Sequence, residues 1–143
     1  MEFSPELKSY IDLVLQSYQQ YTGEKLASNI DELYNADFIC ASHYFYEDDT
    51  RFIFANLKAQ ELWEMSWQEF TRLESRYSAA KEEQAAREEL LTKVKEQGII
   101  NDYQGLRISK SGKEFRIEKA CVWNVLDLSN KIIGQAVKFK DFS

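Results

Sequence analysis

Asp102, Tyr103 and Arg107 fall within one short run, DYQGLR. An aspartate, a phenol and a guanidinium converging on one cleft can move a proton and hold an acidic or carbonyl substrate. Arg76, in SRYS, carries the planar fork that grips a carboxylate through two parallel bonds. Arg76, Asp102 and Tyr103 therefore define an enzymatic alternative. Local geometry argues against it. DYQGLR reads as strand, and neighbours on a strand point to opposite faces. Without a bulge, Asp102 and Tyr103 cannot share a pocket. The expected arrangement is a turn aspartate, a core tyrosine and a rim Arg107 pairing with an acid. Arg76 is expected to pair internally with Glu61 or Glu64 rather than with a ligand.

Other reactive groups are few. The single histidine, His43, lies in the apolar run FICASHYFY and is expected to pack or face solvent. Cys40 and Cys121 sit in strand-like runs with no nearby histidine, so they read as buried free thiols and not as zinc ligands. There is no G-x-S-x-G, and the five glycines are scattered rather than gathered into a phosphate loop. No catalytic or metal residues are assigned. The aromatic residues suggest instead a cavity or packed core, bordered by Phe54, Trp63, Trp67, Tyr103 and Trp123. Arg76, Arg107 and Asn124 are its candidate polar groups, and its ligand would be a small apolar or carboxylate molecule.

The elements that must hold these residues are readable. Ser4 and Pro5 open a helix whose stripe Leu7, Tyr10, Ile11, Val14, Tyr18 and Tyr21 runs to a stop at Gly23. FICASHYFY and RFIFA read as strands around a turn at EDDT. Asn56 stands where an N-cap belongs, and Ser66 with Glu69 has capping-box spacing, giving helices at about 57–64 and 67–72. SRYSAAKEEQAAREELLTKVKEQG reads as one long helix capped by Ser78 and ended by Gly98. Its expected apolar stripe is Ala79, Ala86, Leu90 and Val94, with a Glu83–Arg87 pair on a solvated face. Three further strands follow, joined by KSG and LSN turns. The order is α+β. If Gly134 and Ala136 face the helices, Ile133, Gln135, Val137 and Phe139 face outward. The stripe Leu7, Ile11, Val14 and Tyr18 is then expected to cover them, within the chain or across a dimer.

At 143 residues with 44% hydrophobic residues, the chain can bury a core of its own. A net charge of −6 disfavours nucleic acid, whose phosphates need a basic face. No run is long and apolar enough for a membrane span, and the N-terminus has no secretory pattern, so a cytoplasmic location is expected.

The blocks FIFANLKAQELWEMSWQEFTRL, SRYSA, DYQGLRIS, VWN and GQAVKF, in that order, resemble the MEKHLA family, a PAS-like group with free-standing bacterial members. A related region closes plant class III homeodomain–leucine zipper regulators. The resemblance implies a PAS-like, five-stranded antiparallel sheet with helices on one face. An N-terminal helix (1–24) would precede the PAS-like domain (25–143). It implies a sensory or regulatory module, not an enzyme, whose partner is itself or another protein; in the plant proteins the region is associated with dimerisation. Flavin and haem are not expected. The helix region lacks the reactive cysteine of photosensory LOV domains. Alignment on KSG puts Arg107 and Ile117 where those domains carry asparagines. Gln135 follows Gly134 one place early, and His43 lies on a strand rather than a helix.

Overall fold

The computed structural model describes residues 1–143 apart from Asp48, in the turn expected at EDDT, and Ala80, inside the expected long helix. Helix α1 spans Pro5–Thr22, with the Ser4 hydroxyl accepting from Leu7 N. Helix α2 (Ile30–Tyr34), capped by Asn29, follows. Strands β1 (Ile39–Phe45) and β2 (Thr50–Ala55) pair antiparallel. Helices α3 (Leu57–Trp63) and α4 (Trp67–Phe70) follow, the second with the Ser66–Glu69 capping box complete. Asn56 does more than cap α3. Its carbonyl accepts from Ala59 N and Cys40 N, and its amide donates to Leu33 and Phe38 carbonyls. One buried side chain thereby ties α2, β1 and α3 together.

The long helix is shorter than its sequence suggests. Ser75–Ser78 and Lys81–Glu83 form 3₁₀ turns, and α5 runs only from Gln84 to Gln97. The Ser78 hydroxyl donates to the Ser75 carbonyl, and the residue at the N-cap of α5 is Glu83. Ala79 lies off the helix and Ala86 is exposed. The buried side of α5 is Arg87, Leu90 and Val94. Strands β3 (Ile99–Ile108), β4 (Glu114–Leu126) and β5 (Ile132–Phe139) complete the sheet in the order β2-β1-β5-β4-β3, antiparallel at every pairing. A two-residue β6 (Asp141–Phe142) adds to β4.

The sheet is covered on both faces. On one, Ile11, Val14 and Tyr18 of α1 pack with α2 against Cys40, Phe54, Trp123, Val125 and Ala136. On the other, α3, α4 and α5 pack on Ala41, Phe52, Ile117, Val122 and Phe139. The N-terminal helix thus covers a sheet face within its own chain, but the strand parity is the reverse of that expected. Gly134 and Ala136 face α1. At Gly134 an added Cβ would run into the Tyr10 hydroxyl and the His43 carbonyl, so only glycine lets α1 approach so closely. Gln135, Val137 and Phe139 face α3–α5, while Ile133 packs at the α1 cluster.

Candidate functional site

Between the sheet and helices α3–α5 lies a cavity of about 50 Å³. Its apolar wall includes Trp63, Leu90, Val122 and Val137; its polar groups are His43, Ser78, Arg87, Tyr103, Arg107 and Gln135. Strand alternation delivers most of them. On β1, Ser42 turns to α1, where its hydroxyl meets Tyr10, so His43 turns inward. On β3 the ladder shifts register on both sides of Tyr103, and Asp102 takes a left-handed φ of 60°. The bulge does not bring the pair together: Asp102 is exposed beside Lys119 and Asp141, and only Tyr103 enters the cavity. Gly105 leaves room for that ring, since a Cβ there would strike the Tyr103 hydroxyl.

Arg107 lies against Tyr103. Its Nη2 donates to the Tyr103 hydroxyl at 3.1 Å and its Nη1 to the Leu106 carbonyl at 3.0 Å. Its guanidinium carbon sits 5.5 Å from the ring centroid. Arg87, from α5, is only 4% exposed, and Arg107 only 7%. Arg87 reaches Glu88 at 3.4 Å and His43 Nδ1 at 3.5 Å, both long contacts. The expected Glu83–Arg87 pair is not formed; among the described residues Glu88 is the carboxylate paired with Arg87, and its side chain is 65% exposed. Arg107 has no ion-pair partner among the described residues. Burial, reinforced by the nearby Arg107 charge, lowers the Arg87 pKa to about 10.

A relay of amides runs behind the arginines. His43 Nε2 meets Gln135 Oε1 at 3.0 Å. The Gln135 amide donates to the Leu91 carbonyl and to Asn124 Oδ1, and the Asn124 amide donates to the Val94 carbonyl. With an arginine donor on Nδ1 and an amide oxygen on Nε2, the ring fits the neutral Nε2–H tautomer. Burial first, then the Arg87 charge, lowers the His43 pKa to about 3. Both ring nitrogens have a polar partner within the chain. A second cavity of about 80 Å³ shares Arg87, Leu91 and Gln135 with the first and adds Thr50, Ser75 and Lys95. Ser75 has the one buried side-chain hydroxyl without a hydrogen-bond partner among the described residues.

The ligand-pocket candidates from the sequence divide. Trp63, Tyr103 and Arg107 line the cavity. Phe54, Trp67 and Trp123 do not. A register shift between Ser42 and His43 sets Phe54 opposite Ser42, on the α1 side, where it meets Trp67 at 5.8 Å between ring centroids. Trp123 stacks edge-on to Tyr18 at 4.9 Å and donates to the Val14 carbonyl. Asn124 faces α5 but is used up by the relay. Arg76 is exposed, bonded to Tyr77 and near Glu74 rather than Glu61 or Glu64, and shares no cleft with Asp102 or Tyr103. His43, Arg87 and Gln135 were missed as cavity residues. The signal for Arg87 was its spacing from Leu90 and Val94, which places it on their stripe. Cys40 and Cys121 flank Lys138 across neighbouring strands as free, buried thiols, and burial pushes them up to about 12 and about 11. Among the described residues no group of three or more His, Cys, Asp or Glu side chains could hold a metal, and no helix is long and apolar enough to cross a membrane.

Solved structures with the same fold include a PAS domain from Colwellia psychrerythraea, 12% identical, with TM-score 0.66, covering 78% of this chain and 92% of that one. An RNA-binding light-oxygen-voltage receptor is 13% identical at TM-score 0.64, covering 76% of this chain but 30% of that one. A light-oxygen-voltage domain studied with a flavin analogue is 17% identical at TM-score 0.64, covering 78% and 83%. At these identities the likeness concerns the fold. No curated protein matches the chain. The MEKHLA domain profile matches residues 8–143, nearly the whole sequence, and the chain belongs to the MEKHLA domain family.

Proposed function

We propose that this MEKHLA domain is a sensory or regulatory module. A small molecule occupies the cavity between the sheet and α3–α5, and occupancy is read by contact with another protein or a second copy, in the cytoplasm. The observation that carries this reading is the buried polar set around one cavity. Arg87, Arg107, His43 and Gln135 are all buried there, none more than 7% exposed. Buried charge and buried amides are expensive to keep in a core that apolar residues could fill. The reading is of a binding module rather than an enzyme. Its residues do not fit flavin or haem: about 50 Å³ is far below the roughly 300 Å³ at which cofactor-sized pockets begin. Native mass spectrometry of the full chain purified from its own host tests the proposal. The expected result is a retained small mass or an oligomer. A bare monomer whose melting temperature ignores a panel of small metabolites would contradict it.

A further inference from the structure

We infer that the cavity is built for a short-chain monocarboxylate, of about acetate to pyruvate size, held by Arg87 and Arg107. This rests on the cavity being the ligand site.

Charge comes first. Two guanidiniums line one small cavity. Each carries five N–H donors, and each makes two hydrogen bonds in the structure, those of Arg87 both long. No carboxylate lines the cavity, and the nearest partner, Glu88, points largely to solvent. Beyond Arg87, the second cavity carries Lys95 and Glu88, one charge of each sign, so it does not offset the two arginines. A buried pair of like charges is stable only with an anion between or beside them. The chain supplies only Glu88, at a long 3.4 Å from Arg87 and largely in solvent, and no carboxylate at Arg107 among the described residues, so an anion between the two comes from outside.

Size and shape narrow the class. A water needs roughly 10–15 Å³ of such space, so about 50 Å³ takes on the order of four non-hydrogen atoms. The donor end suits a planar anion taking two parallel bonds. The remaining wall, with Trp63, Leu90 and Val137, is apolar and suits a short alkyl tail. Phosphate esters and nucleotides are too large. The unpartnered Ser75 hydroxyl on the adjoining cavity marks the side on which a further polar group of the ligand would find a partner.

The test is an NMR titration of the full chain, following backbone amides and arginine Nε–Hε signals. Sodium acetate, propionate and pyruvate are compared with sodium chloride at constant ionic strength, and with acetamide and propionamide as neutral isosteres. Carboxylates are expected to shift Arg87 and Arg107 saturably with roughly millimolar or tighter Kd, as suits ligands of so few atoms. The amides should bind at least tenfold more weakly, and Arg87→Met or Arg107→Met should each weaken carboxylate binding tenfold or more. Amides binding as tightly as carboxylates would overturn the carboxylate inference and leave the cavity reading standing. Shifts that chloride reproduces equally would overturn it too. If none of these solutes perturbs the cavity residues, both the inference and the ligand-site reading fail.

Discussion

On the α1 side of the sheet, Trp123, Phe54, Val125 and Cys40 meet Ile11, Val14 and Tyr18; the charge there is the half-buried Lys138 ammonium over the Tyr18 ring, and the fully buried hydrogen-bonding groups are neutral. Trp123 donates to the Val14 carbonyl, Leu126 N to the Ser17 hydroxyl, and the Tyr10 hydroxyl meets Ser42. On the α3–α5 side, the sheet and α5 together bury two arginines, a histidine and two amides beside a cavity. Both faces are covered, so the polar groups are not a by-product of exposure. One face is arranged for packing alone. The other keeps groups that packing would not choose, which is where a binding site belongs.

The largest difference between the faces should appear when α1 is removed. Deleting residues 1–22 takes away more than a third of the α1-side core, including Ile11, Val14 and Tyr18, and the remainder should aggregate or fail to fold in gel filtration and circular dichroism. A truncated chain as soluble and stable as the parent would mean that α1 is dispensable to that face. Next, Trp123→Ala should lower stability by about 3–5 kcal/mol in urea unfolding, as for other buried tryptophans. A loss under 1 kcal/mol would show that the α1 face is loosely packed.

A pH experiment addresses the opposite face. Between pH 6.5 and about 3, the unfolded chain binds a proton on His43 that the folded chain refuses. Stability should therefore fall as pH drops through that window. The linkage amounts to about 2 kcal/mol between pH 7 and pH 5. The carboxylates held low by hydrogen bonds, Glu64, Glu69 and Asp127, lose their contributions only below about 4.5, so the upper window belongs to His43. Arg87 and Lys95 face the ring and oppose its protonation. His43→Gln should flatten the slope of urea midpoints between pH 7 and 5; an unchanged slope would place the proton uptake elsewhere.

Capping and turn chemistry were legible in the sequence because they are local. Ser4, Asn56, the Ser66–Glu69 box and the two hairpin turns all act within a few residues. Strand parity was not. Residues of β5 on both faces are buried, so the period-two alternation that normally names the inner face is erased, and Gly134 and Ala136 were read toward the wrong helices. The start of α5 was missed because AAKEEQAAR has helical propensity throughout, while Ser75–Ser78 and Lys81–Glu83 form 3₁₀ turns, the first bringing the Ser78 carbonyl to the Trp63 indole N–H. Arg87 was missed because a charged residue in a charged helix reads as solvated until its neighbours on the stripe are seen to be buried. Phe54 changed faces at a register shift that no local signal announces.

The central claim is that the arginines on the α3–α5 side serve a ligand rather than the fold. Urea unfolding of Arg87→Met, in buffer without added carboxylate, tests it most directly. If Arg87 awaits an anion, replacing its buried charge with a side chain of similar volume should leave stability unchanged within about 0.5 kcal/mol or raise it. A loss of about 3 kcal/mol or more, the size expected when a structural buried pair is broken, would contradict the account.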